Sequence, residues 1–154
     1  MSQVANWFER KFEFSFPVEL YPNLCVRLRG TPARMEELLR GRSREVLTKK
    51  PQEKWSAQEH AGHLLDLESL WMARAEDYLA GRSELTVADL SNRKTYDANH
   101  NAREIAEILA DFRTARVRLV DRVGGLEPAL FARDRKSTRL NSSHVQPSRM
   151  PSSA

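Results

Sequence analysis

Two long stretches of the chain carry apolar residues at steps of three or four, the spacing of one helical face. In the first, Ala61, Leu64, Leu67, Trp71, Ala75 and Tyr78 form the stripe. Ser56 and Glu59 stand where a capping box needs an N-cap serine and an N3 glutamate, and Trp55 precedes them as the N′ residue of a hydrophobic staple. This pattern predicts a helix running to about Ala80, with Gly81 as its left-handed stop. In the second stretch the stripe is Ile105, Ile108, Leu109, Phe112, Ala115, Leu119, Val120 and Val123, ending at Gly124-Gly125. Asn101 and Glu104 give it a start resembling a capping box. A shorter helix begins at Thr31-Pro32, with threonine as N-cap and proline at N1. It continues through Ala33, Met35, Leu38 and Leu39 to Gly41. Leu24, Val26 and Leu28 also allow a start near Asn23.

The remaining segments connect these helices. Residues 42–54 form a connection in which Val46 and Leu47 tuck a short turn against the core, and residues 82–101 read as a polar loop. Phe12, Phe14 and Phe16 alternate with Glu13 and Ser15 as a short extended stretch, which Pro17 and Pro22 interrupt. Glu127-Pro128 opens a short turn through Leu130 and Phe131. The expected fold is all-α. Helices of this length pack as antiparallel, up-and-down bundles, and three such stripes leave apolar surface for a fourth helix to cover.

The chain has 154 residues, enough for one domain with a core. No apolar run approaches the roughly 20 residues that span a bilayer, and no signal peptide opens the chain. A cytoplasmic location without a membrane partner is therefore expected. Cys25 is the single cysteine, which excludes an internal disulfide and any CxxC motif. The formal charge is +4, but it sits in the tail. Arg135, Lys136, Arg139 and Arg149 face only Asp134 there, so residues 134–154 carry +3 and residues 1–133 carry +1. A nearly neutral domain gives no footprint for nucleic acid.

The tail, DRKSTRLNSSHVQPSRMPSSA, is rich in serine and has no helical or strand period. Composition alone reads it as a disordered tail. It also resembles one reading frame of a common short-read sequencing adapter. Residues 134–144 and 148–154 match two fixed adapter words, and residues 145–147 stand where the variable index falls. On that reading residues 1–133 are an incomplete domain, residues 134–154 are not native, and the natural sequence is cut near Ala132.

No Gly-rich phosphate loop, Walker motif or GxSxG elbow is present. His60 and His63 stand at i and i+3 on the first long helix. Imidazoles so placed suit zinc, nickel or iron, but spacing alone favours two ordinary helix-surface histidines. Asp66, one turn beyond His63, stands where it can orient an imidazole. His100, within Asn99-His100-Asn101, reads as loop and cap chemistry. Cys25 reads as a small buried hydrophobe, Trp55 and Trp71 as packing residues, and Arg93-Lys94 as a solvated pair.

The run Trp55-Ser56-Ala57-Gln58-Glu59-His60-Ala61-Gly62-His63-Leu64 resembles the W-S-x-x-E-x-x-x-H-L motif that opens the second helix of DinB-like proteins. Leu28-Arg29-Gly30-Thr31-Pro32-Ala33-Arg34, Asn92-Arg93-Lys94-Thr95 and Asn99-His100-Asn101 extend the resemblance over about residues 12–132. The resemblance implies a four-helix bundle holding a divalent metal (zinc, nickel or iron) on three histidines. It places the first ligand at His63 and makes His60 a neighbour. The other two ligands belong to an H-x-x-x-H in a fourth helix, which has no counterpart here; His144 lies in the adapter-like segment. Members of the family include thiol-dependent S-transferases, which use low-molecular-weight thiols, and metal-dependent hydrolases; many pair as homodimers. The resemblance therefore implies a metal-dependent enzyme acting on a small molecule, in which this truncated copy is inactive. The alternative is a non-catalytic, small-molecule-binding or stress-associated bundle without metal.

Overall fold

The computed structural model describes residues 17–126, except for the side chain of Glu53. The Phe12–Phe16 stretch, the turn at Glu127-Pro128 and the tail from Asp134 lie outside the described residues. Six α-helices are formed within them: α1 (Tyr21–Arg29), α2 (Thr31–Leu39), α3 (Arg44–Thr48), α4 (Ala57–Leu79), α5 (Arg93–Asp97) and α6 (Ile105–Gly124). Three single 3-10 turns stand at Val18–Leu20, Pro51–Glu53 and His100–Ala102. The fold is all-α, and among the described residues no helix is long and apolar enough to cross a membrane.

α1 and α2 form one helical rod with a break at Gly30. Thr31 is not an N-cap. Its hydroxyl donates to Arg27 O at 3.1 Å, the back-bond of a threonine inside a helix. Gly30 stands at the junction with helical φ −77° and ψ −8°. Pro32 has no N–H to offer Leu28 O, the carbonyl four residues back. Arg116 Nη1 from α6 reaches that carbonyl at 3.3 Å instead. Gly41, at φ +71°, supplies the left-handed stop after α2. In α3, Leu47 is buried as expected, whereas Val46 faces solvent.

α4 begins where the capping box predicts. Ser56 Oγ accepts from Glu59 N at 3.1 Å, and Glu59 Oε2 accepts from Ser56 N at 2.8 Å. Its end also follows the sequence, with Gly81 at φ +67°. α6 starts differently. Its N-cap is Glu104, which makes no capping bond through its side chain. Asn101 Oδ1 instead accepts from Ser56 Oγ at 2.8 Å, tying the loop before α6 to the start of α4.

The residue pairs along α4 and α6 fix their direction. Gln58 Nε2 donates to Arg103 O at 2.8 Å, Arg116 Nε donates to Glu68 Oε1 at 3.0 Å, and Arg122 Nε donates to Glu76 Oε1 at 2.6 Å. Both chains advance together, so the two long helices run parallel. The antiparallel, up-and-down order of these successive helices does not hold. Residues 80–104 are long enough to return along the whole of α4 before α6 begins, since an extended chain covers about 3.3 Å per residue. α1 and α2 run antiparallel to α6, as the pairs Tyr21–Val123, Arg29–Asp121 and Arg113–Glu36 show.

Ile108, Phe112, Leu119 and Val120 of α6 meet Ala61 and Leu47 in the core. The α6 stripe faces inward as its periodicity predicts, with Ile108, Phe112, Leu119 and Val120 buried and Ile105, Leu109, Ala115 and Val123 half-buried. The α4 stripe does so only in part: Trp71 is 41% exposed, and Gln58, Glu68 and Asp77 are buried instead. Glu68 is buried because it pairs with Arg116, whose Nε and Nη2 clasp it and whose guanidinium also lies over the Phe112 ring at 5.0 Å.

Candidate functional site: the imidazole pocket on α4

His63 lies on the face of α4 turned towards the returning segment. Its ring is held on two sides. Trp55 packs against it at 4.8 Å between centroids, and Nδ1 meets Thr95 Oγ1 of α5 at 3.0 Å. With Nδ1–H donated to the threonine, Nε2 presents its lone pair for a ligand. Burial holds the His63 pKa below the usual histidine range. The neighbouring His60 and His100 rings add to that shift, and the Asp66 carboxylate opposes it. A neutral imidazole is the form that binds a metal.

His60 is exposed and packs edge-on against Trp55 at 5.5 Å. This is the N′–N4 contact of a staple, with an imidazole in the place of an aliphatic partner. His60 does not join His63 in the pocket.

Asp66 orients an imidazole, but not that of His63. His100 Nε2 donates to Asp66 Oδ2 at 2.8 Å. His100 is 2% exposed, so the loop histidine that reads as cap chemistry is in fact a core residue. Its backbone carbonyl accepts from the buried Gln58 Nε2 at 2.7 Å. Its ring lies on Gly62, where a Cβ would come within 2.2 Å of His100 Cγ. His100 Nδ1 is buried without a partner. A bare ring nitrogen costs less there than an unpaired N–H, which assigns the single proton to Nε2. Sequence reasoning missed this cluster. Gly62 inside a strong helix was the available signal, because such a glycine marks a close approach.

Around His63 the structure forms a cavity of about 280 Å³, whose wall includes Asp66, Leu67, Leu70, Val87, Lys94 and Thr95. Lys94, which reads as a solvated residue, bridges to α4 by donating to Asp66 O at 3.1 Å and Ser69 Oγ at 3.0 Å. A larger cavity of about 490 Å³ lies between the end of α2 and the start of α6. It carries no histidine or cysteine, and its carboxylate, Glu36, is taken by Arg113. Cys25 is half-buried on α1, away from both cavities.

Among the described residues, no three His, Cys, Asp or Glu side chains converge where they could hold a metal ion. These residues therefore do not complete a metal centre; they supply one neutral, oriented imidazole.

A family model described as the DinB superfamily matches residues 27–144. That span runs from α1 through α6 and on to His144. No curated protein and no solved structure matches the chain.

Proposed function

The chain belongs to the DinB superfamily, and we propose that His63 supplies one imidazole of a three-histidine divalent-metal site whose other donors lie outside the described residues. The observation that carries this reading is the fixed His63 ring. Thr95 Oγ1 engages Nδ1, Trp55 packs against the ring, and burial lowers its pKa, which favours a neutral imidazole with Nε2 as the nitrogen that would meet a ligand. Zinc, nickel or iron suits such a donor. A metal held there would supply Lewis-acid chemistry, that of a thiol-dependent S-transferase or a hydrolase. The chain's own residues contribute position: Asp66 and Lys94 flank the pocket, and Leu67, Leu70 and Val87 shield it. A small-molecule substrate, such as a low-molecular-weight thiol, would be taken there.

The sequence contains no H-x-x-x-H, and the described residues offer one oriented imidazole where a catalytic site takes three donors. The chain should bind metal weakly and be inactive alone. Paramagnetic Co²⁺, added below stoichiometry, tests the reading by nuclear magnetic resonance. Line broadening should centre on His63, disappear in His63→Ala and survive in His60→Ala. Broadening centred away from His63, or unchanged in His63→Ala, would overturn it. The second reading is a metal-free binding bundle. It predicts no broadening at His63.

A further inference from the structure

We infer that the His63 pocket binds a small zwitterion of the α-amino-acid type, with Asp66 receiving its ammonium and Lys94 its carboxylate. This deepens the reading above by taking the same pocket as the site, but it requires no metal.

The two poles are built into the wall in different ways. Asp66 is fixed from behind. Its Oδ2 accepts from His100 Nε2 at 2.8 Å, and the Asp66 side chain is 10% exposed. His100 itself is immobilised by the Gly62 contact and by the bond from Gln58 to its carbonyl. One carboxylate oxygen is thus used for positioning, while Oδ1 has no partner among the described residues. Such an oxygen is a preorganised acceptor for an N–H donor, and bonds to a charged donor are the strong ones.

Lys94 has the opposite character. Its ammonium is held by two neutral oxygens, Asp66 O and Ser69 Oγ. No ion pair joins it to a carboxylate among the described residues, so its charge is not neutralised and one N–H remains to donate. Asp89 also lines the pocket, but its carboxylate oxygens accept from Ser91 N, Ser91 Oγ and Arg93 N; the poles left for a ligand are the Asp66 carboxylate and the Lys94 ammonium, which form no ion pair with each other. Leu67, Leu70, Ala73 and Val87 form the apolar part of the wall, and Val87 is 85% exposed. An ammonium and a carboxylate on one carbon, with an apolar side chain beside them, match that arrangement. A cavity of about 280 Å³ suits a molecule of amino-acid size. In this scheme His100 is a positioning residue: it acts on the ligand only through Asp66.

Three probes of the same shape separate the poles. L-leucine carries both charges, isopentylamine only the ammonium and 4-methylpentanoate only the carboxylate. Each is titrated into the chelator-treated protein and followed by the amide resonances of Leu67, Leu70, Ala73 and Val87. L-leucine should bind at least about tenfold tighter than either single-charge probe, because each charged hydrogen bond adds roughly that factor. Asp66→Asn keeps an oxygen for His100, and Lys94→Met changes an exposed side chain, so both variants should fold. Each should cut L-leucine affinity about tenfold and leave the probe of the other pole unchanged. Equal affinity for the three probes, no shift at these amides, or full L-leucine binding in Asp66→Asn would overturn the proposal. The metal reading fails separately, on Co²⁺ broadening, and L-leucine binding without metal leaves it untouched.

Discussion

The His100 ring and the Gly62 backbone touch where a side chain would otherwise stand: a Cβ on Gly62 would lie 2.2 Å from His100 Cγ and 2.3 Å from Cδ2. Glycine inside a helix costs about 1 kcal/mol relative to alanine, yet here it admits the ring that holds Asp66. Gly62→Ala should therefore destabilise despite its better helix propensity. A displaced buried ring costs about 1–3 kcal/mol or more, which exceeds the propensity gain. Gly124, whose Cβ would meet nothing within 4 Å, is the control: Gly124→Ala should be neutral or add up to about 1 kcal/mol. Urea denaturation of both variants checks this, and a stabilised Gly62→Ala would refute the close packing.

Arg116 and Glu68 form the buried ion pair between the parallel helices, with side chains 8% and 4% exposed. The pair is satisfied on several sides. Arg116 Nε donates to both carboxylate oxygens at 3.0 Å, and Nη1 donates to Leu28 O at 3.3 Å. Removing one partner leaves the other charge buried and unpaired. Arg116→Met should lose about 3–5 kcal/mol. The double variant Arg116→Met with Glu68→Leu should recover most of that loss, because an apolar pair of similar volume is often as stable as the ions it replaces. A double-mutant cycle by chemical denaturation measures the difference. Equal losses in the single and double variants would show that packing rather than charge carries the contact.

The elements legible in the sequence are those with local signals. The Ser56–Glu59 box, the Gly81 stop and the α6 stripe each specify their own helix, because capping and periodicity are properties of a few adjacent residues. The all-α class follows from them. Direction was not legible: a stripe defines a face, and residues 82–101 lack a pattern that says whether the chain turns back at once or returns along the bundle. The roles of His100, Gln58 and Arg116 were hidden for a related reason. Polar residues become core residues only when a partner distant in sequence satisfies them, 34 positions away for His100 with Asp66 and 48 for Arg116 with Glu68. The sequence singles out His63 over His60 only through the motif around it.

Ser56 serves two elements at once. It caps α4 through Glu59 N, and its hydroxyl proton goes to Asn101 Oδ1 at 2.8 Å. Ser56→Ala should cost about 1–2 kcal/mol, at or above a typical cap, since it also orphans the Asn101 acceptor. Asn101→Ala should cost less, because the cap itself survives. Thermal denaturation of the two variants distinguishes them. A larger loss for Asn101→Ala would mean that the loop tie outweighs the cap.

Acidification should weaken the fold in two stages. Burial alone would raise the Glu59 carboxyl, but the Lys50 ammonium at 2.7 Å and the Ser56 amide outweigh it and hold the pKa below the usual 4.5. For His63, burial is the main cause of a pKa below the usual 6.5. Both groups are lowered on folding, so in each case the unfolded chain takes up its proton first as pH falls. The His63 contribution is complete above 6.5 and is lost as pH drops from there through the lowered value of the folded state. The Glu59 contribution is complete above 4.5 and is lost below it. Melting temperatures measured from about pH 8 to about pH 3 should therefore fall first near neutrality and again in the carboxylate range. His63→Gln should remove the first decline while keeping the second, and Glu59→Gln the reverse. A wild-type melting temperature that rises on acidification from 6.5 towards 5 would contradict the burial of a neutral His63 ring.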